Sequence, residues 1–180
     1  MMNALERRST IALSSIFALR MLGLFMIIPV FAVAGQSYQG ATPALIGLAV
    51  GVYGLSQALL QIPFSLIADR FSRKPLIVFG LLLFALGGAV AAMSESIYGV
   101  ILGRAIAGAG AVSAVVMALL ADVTREENRS KAMAVMGMSI GLSFVVAFSL
   151  GPWLTSLVGI SGLFWVMTLM GLLAILTLFL

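Results

Sequence analysis

Ten cations and six acids are the only charged groups among 180 residues, and the chain contains neither histidine nor cysteine. The missing histidine removes the usual general base and the commonest metal ligand; the missing cysteine removes thiolates and disulfides. All six acids (Glu6, Asp69, Glu95, Asp122, Glu126 and Glu127) lie at the ends of apolar runs, so no embedded carboxylate pair is available for hydrolysis. An enzyme is therefore not expected, and neither is a metal or any other cofactor. The cations divide differently. Arg7, Arg8, Arg70, Arg73, Lys74, Arg125, Arg129 and Lys131 flank apolar runs, whereas Arg20 and Arg104 stand inside them.

An arginine roughly 10 Å inside an apolar helix, at about 1.5 Å per residue, costs several kcal/mol unless it meets a cavity, a partner or the interface. Arg20 and Arg104 are thus candidates for a cavity or for coupling, with snorkelling to the interface as the plain alternative. Tyr53, Gln57 and Gln61 recur at every fourth residue of one otherwise apolar run. That stripe has two readings, a substrate pathway and a hydrogen-bonded contact between helices. Small residues recur at the same spacing: Gly103, Ala107 and Ala111; Gly47 and Gly51; Gly137 and Gly141. Gly108, Gly110, Gly151 and Pro152 are further candidates for close packing or kinks, and Pro29 predicts a kink in the first run. Thr124 and Glu127 have capping-box spacing, which predicts a helix start there.

The elements that must carry these groups are membrane spans. With 62% hydrophobic and 9% charged residues, against about a quarter charged in soluble domains, lipid is part of the solvent. Six runs of about 18–25 residues are each long enough to cross a core of roughly 30 Å. They cover residues 11–34, 44–68, 75–93, 97–121, 132–154 and 163–180. The first run is too long for a cleaved signal segment. All eight flanking cations fall on one side, at the amino-terminal segment and the second and fourth connections. By the positive-inside rule that side, and with it the amino terminus, is cytoplasmic. Such a distribution is topological and does not form a nucleic-acid surface. The connections are too short for an extramembrane domain, and the chain stops inside an apolar run, as expected for a fragment of a longer protein.

Asp69, Arg70, Arg73 and Lys74 match the G-x-L-x-D-R-x-G-R-[KR] signature in type and spacing, with Ser65 and Ser72 in place of its glycines. Arg104, Gly108 and Gly110 match R-x-x-x-G-x-G. On these residues the chain resembles the amino-terminal half of the major facilitator superfamily, closest to the bacterial YajR-like branch of drug–proton antiporters. The antiporter element G-x-x-x-G-P-x-x-G-G is only partial: Gly151 and Pro152 are present, but Ala147, Thr155 and Ser156 replace glycines.

The resemblance implies an all-α membrane protein, a six-helix bundle of two inverted three-helix repeats, and a partner carboxy-terminal bundle completing twelve helices. It makes Asp122 a member of a charge cluster with Asp69 and Arg73. It also implies a secondary transporter of small molecules in the bacterial inner membrane, working by alternating access as proton-coupled efflux. Import of another small solute, an anion among the options, a half-transporter that dimerises, and a non-transporting scaffold are the alternatives.

Overall fold

The computed structural model describes residues 2–179, and every named element among them is helical. Five helical segments are long and apolar enough to cross a membrane. The first comprises α1 (Ala4–Phe25) and α2 (Ile28–Ala34), broken at Met26 and Ile27, with Pro29 in the first turn of α2. Proline lacks the amide that would have bonded the Phe25 carbonyl, which accounts for the interruption just before it. Thr42 caps α3 (Pro43–Arg70), which contains Pro63, and α4 follows over Arg73–Ala92.

The fourth segment is broken, where the sequence predicts one helix over 97–121. Ser96 caps α5 (Ile97–Ala109), which stops at Gly110 (φ −72, ψ 54), and α6 resumes over Ser113–Asp122. Close packing accounts for the glycine: a methyl group on Gly110 would overlap the Gly80 carbonyl oxygen of α4. Nearby, Gly87 and Gly103 bring α4 against α5, and a methyl on Gly103 would lie 2.6 Å from the Gly87 oxygen. Here the small-residue spacing is used for backbone-to-backbone approach.

The last segment, α7 (Glu126–Thr177), has 52 residues and is helical except at Gly159, whose φ of 70 and ψ of 179 suit glycine. The loop expected between residues 154 and 163 is therefore reduced to one non-helical residue. A methyl on Gly151 would lie 2.6 Å from the Met26 oxygen, and one on Gly23 would lie 3.2 Å from the Met167 Cα. Residues 151 and 167 would be about 24 Å apart on a straight helix. Gly23 and Met26 are three positions apart, so α7 folds back on itself at Gly159.

Two apolar clusters fill the bundle. One, around Phe31, Phe84 and Phe164, lies towards the end bearing the 38–42 and 93–96 connections. There Gln39 N donates to Glu95 O at 3.0 Å and Ile97 N to Gln39 O at 3.1 Å, pinning the two connections together. The other, around Phe17, Leu81 and Leu120, lies towards the end carrying the flanking cations, the basic end. Much of α3 and α7 packs on nothing within the chain, and methyl groups at Gly47, Gly51, Gly137 and Gly141 would meet no atom within 4 Å.

Candidate functional site

Arg20 and Arg104 are both 1% exposed, so neither reaches solvent as a snorkelling side chain would. Arg20 gathers three elements. Its Nη1 donates to Ser113 Oγ at 2.7 Å, and its Nη2 donates to Gln57 Oε1 at 2.9 Å and to Gly110 O at 3.2 Å. Gly110 O belongs to the break between α5 and α6, where a carbonyl lacks its ordinary helical donor. A guanidinium supplies donors in a fixed fork and is suited to that position.

Arg104, on α5, donates through Nε to Ala49 O and through Nη2 to Val50 O at 3.3 Å, both within α3. Tyr53 sits between the two cations: the Arg20 and Arg104 guanidinium carbons are 5.9 and 5.6 Å from its ring centroid. Arg20 also lies 5.6 Å from the Phe84 ring. All three distances are in the range of cation–π attraction. Among the described residues no carboxylate joins this group. Arg20 Nε, Arg104 Nη1 and Tyr53 Oη are buried and have no hydrogen-bond partner among the described residues. The arrangement can therefore hold positive charge in an apolar interior with donors to spare. Gln61 lies on the same helix, half-buried, and makes none of the described contacts.

Close backbone approach shapes this region. A methyl on Gly108 would overlap the Tyr53 carbonyl oxygen, which brings α5 onto α3 where Arg104 crosses. Gly151 approaches the break between α1 and α2, which begins six residues after Arg20, and Pro152 follows it inside α7.

At the basic end, Arg73 Nε and Asp122 Oδ2 form an ion pair at 2.7 Å, joining the start of α4 to the end of α6. Asp69 is exposed at the end of α3 and takes no part in an ion pair among the described residues. Asp69 and Arg73 are four positions apart, but α3 ends at Arg70 and α4 starts at Arg73, so the two side chains are not on one helix. Arg70 and Lys74 are exposed beside them.

The structure also contains a cluster that the motif reading missed. Glu6 is 2% exposed, and its carboxylate accepts from Asn3 N at 2.8 Å, Arg125 N at 2.9 Å, Arg125 Nε at 3.0 Å and Arg125 Nη2 at 3.2 Å. Asn128 Nδ2 adds bonds at 3.4 and 3.2 Å to the two oxygens. The bonds from Arg125, and then from Asn3, draw the carboxyl pKa from the ordinary 4.5 down to about 2. The capping box expected at Thr124 and Glu127 does not form. Arg125 is the N-cap of α7, and Glu127 instead pairs with Arg125 at 2.9 Å. Sequence did carry one signal for Glu6, since Asn3 and Glu6 have capping-box spacing and form that box.

Residues 13–180 match the Major Facilitator Superfamily. The chain is 55% identical over 165 residues to the Inner membrane transport protein YajR of Escherichia coli (strain K12), covering 92% of this chain and 36% of that protein. It is 41% identical over 178 residues to an uncharacterized transporter of Buchnera aphidicola subsp. Schizaphis graminum, covering 99% of this chain and 46% of that protein. It is 33% identical over 135 residues to the Multidrug resistance protein MdtH of Yersinia enterocolitica, covering 74% and 34%. The chain thus spans less than half the length of these curated relatives.

Proposed function

Starting from the fact that this chain belongs to the Major Facilitator Superfamily, and so to a family of multi-pass membrane transporters, we propose that it is the amino-terminal bundle of a secondary transporter for small molecules in a bacterial inner membrane. The fold-back at Gly159 supports a reading of the five long helical segments as six crossings, with residues 2 and 179 on one side. The basic end is the cytoplasmic one, by the positive-inside rule. The unpacked faces of α3 and α7 support a second bundle of the full-length protein as their cover. Such carriers alternate access by rocking one bundle against the other around a midplane site.

The single observation that carries the reading is the buried Arg20–Tyr53–Arg104 group beside a broken helix, in a chain matched by this family over residues 13–180. It is a polar centre without acids, and it constitutes this half's part of the substrate and coupling path. The MdtH relative is named a multidrug resistance protein, which favours export of drugs as the direction, and proton exchange is the coupling this reading adopts. The titrating carboxylate then lies outside this bundle's membrane interior or in the Asp69, Arg73 and Asp122 cluster, which biases the conformational equilibrium without binding substrate. One observation favours a second reading, an anionic solute: three buried donors around Tyr53 lack acceptors. The test is Arg104→Ala and Arg20→Ala in the full-length carrier, with proton-gradient-driven flux of a drug and of an organic anion measured in proteoliposomes. Loss of coupled flux in either variant supports the site, and wild-type flux in both overturns it.

A further inference from the structure

Glu6 occupies an unusual position between two helices. Its carboxylate accepts the backbone N–H of Asn3, the N-cap of α1, and of Arg125, the N-cap of α7. Within a capping box the third residue of a helix reaches back to the N-cap amide of that same helix. In α7 that third residue is Asn128, and it donates to Glu6 instead. One buried acid from the first turn of the chain therefore caps a helix that begins more than a hundred residues later.

Only Val123 and Thr124 separate Arg125 from Asp122. The Val123 amide is tied to Leu119 O at 3.1 Å, which continues α6 to its last turn. Fixing the Arg125 amide against α1 therefore fixes the far end of a very short turn whose near end presents Asp122 to Arg73. Arg129 Nε donates to Ala121 O at 3.1 Å and closes the same turn from α7. Asp122 is the more exposed partner of its ion pair, with a side chain 52% accessible against 23% for Arg73, so packing alone does not hold it in place.

We propose that Glu6 is a positioning residue for the Arg73–Asp122 ion pair, acting through Arg125 and the 123–125 turn. This rests on the reading of that ion pair as part of a cluster biasing the carrier's conformational equilibrium. Glu6 does not touch substrate. Its contribution is to set where Asp122 stands relative to α4, so the first turn of the chain belongs to the device at the basic end.

The experiment uses the full-length carrier in its native membrane with Ser72→Cys as a reporter beside Arg73, labelled by a maleimide. Asp122→Asn, Glu6→Gln, their combination and Glu6→Asp are compared for labelling rate, transport rate and thermal unfolding. The expected result is that Glu6→Gln shifts labelling several-fold in the same direction as Asp122→Asn. The double variant then matches Asp122→Asn alone, and Glu6→Asp restores at least half of the effect. Glu6→Gln lowering the unfolding temperature with labelling unchanged, or effects that multiply in the double variant, overturns the proposal while leaving the cluster reading intact. Unchanged labelling and transport in Asp122→Asn itself overturns the cluster reading and the proposal with it. If Glu6→Gln does not accumulate, Arg125→Lys, which keeps the charge but loses the fork, carries the same expectations and the same overturning results.

Discussion

Arg73 and Asp122 are joined at 2.7 Å across the ends of α4 and α6, while Asp69, at the end of α3, stands outside that pair. The pair is partly exposed, so its Coulomb attraction is screened and contributes little to stability. In the proposed carrier its consequence is for conformation. Asp122→Asn and Arg73→Gln should each reduce transport by the full-length carrier several-fold while shifting its unfolding temperature little. The charge reversal Arg73→Asp with Asp122→Arg should recover part of the loss. Flux in inverted vesicles and thermal unfolding in detergent check both expectations.

Topology is open to direct chemical labelling because the chain has no cysteine of its own. In intact cells an impermeant thiol reagent should modify Gln39→Cys and leave Ser72→Cys untouched. The reverse pattern would invert the bundle in the membrane.

Two classes of glycine should respond oppositely to a methyl group. Gly110→Ala drives a methyl into the Gly80 carbonyl oxygen, part of a backbone that cannot step aside as a side chain could. The expected loss is about 1–3 kcal/mol, the range for overpacking. At Gly137 and Gly141 a methyl meets nothing within 4 Å. Alanine there should leave this 180-residue chain as stable or raise its stability by up to about 1 kcal/mol through helix propensity. Unfolding in detergent separates the two classes.

Arg20→Lys keeps the charge but gives up the planar fork that reaches Gln57, Gly110 and Ser113 together. Leaving one or more of those acceptors without a donor should destabilise the chain by roughly 1–3 kcal/mol. The same thermal measurement reports it, and an unchanged unfolding temperature would show that the three bonds are not maintained in the membrane protein.

Acid should loosen the basic end. The Glu6 carboxyl titrates near 2 when folded, against an ordinary 4.5, so the unfolded state binds the proton more readily. The associated stability is fully present above about pH 4.5 and is lost as pH falls from there towards 2. Glu6→Gln should flatten that part of the stability profile, measured by denaturation between pH 5 and 2.

The sequence made several of these features legible because their causes are local. Span lengths, flanking cations and the Asp69–Lys74 signature follow from residue type and spacing alone, and so does the kink before Pro29. The break at Gly110 was not legible: the same small residues suit an unbroken, closely packed helix, and the opposing Gly80 is thirty positions away. For Tyr53 and Gln57 the stripe was visible, but Arg20's choice of Gln57 over Gln61 depends on how α1 and α3 cross. Glu6 was missed as a bridging group because its partners, Arg125 and Asn128, come from the far half of the chain.

The partners of Arg20 also impose an order on biosynthesis. Gln57, Gly110 and Ser113 follow it by 37, 90 and 93 positions. At about 5–20 residues per second, a ribosome needs roughly 5–20 seconds after emitting Arg20 to supply the last of them. Over that interval the first hydrophobic segment carries a cation whose full set of acceptors is not yet made. Water, headgroups or the insertion machinery must shelter the guanidinium, so the first crossing reaches its final depth and rotation only after the fourth has entered. The segment carrying Arg20 is thus synthesised before the segments that lock it, and a translational pause before Gly110 would prolong the stage at which its guanidinium lacks its full set of partners.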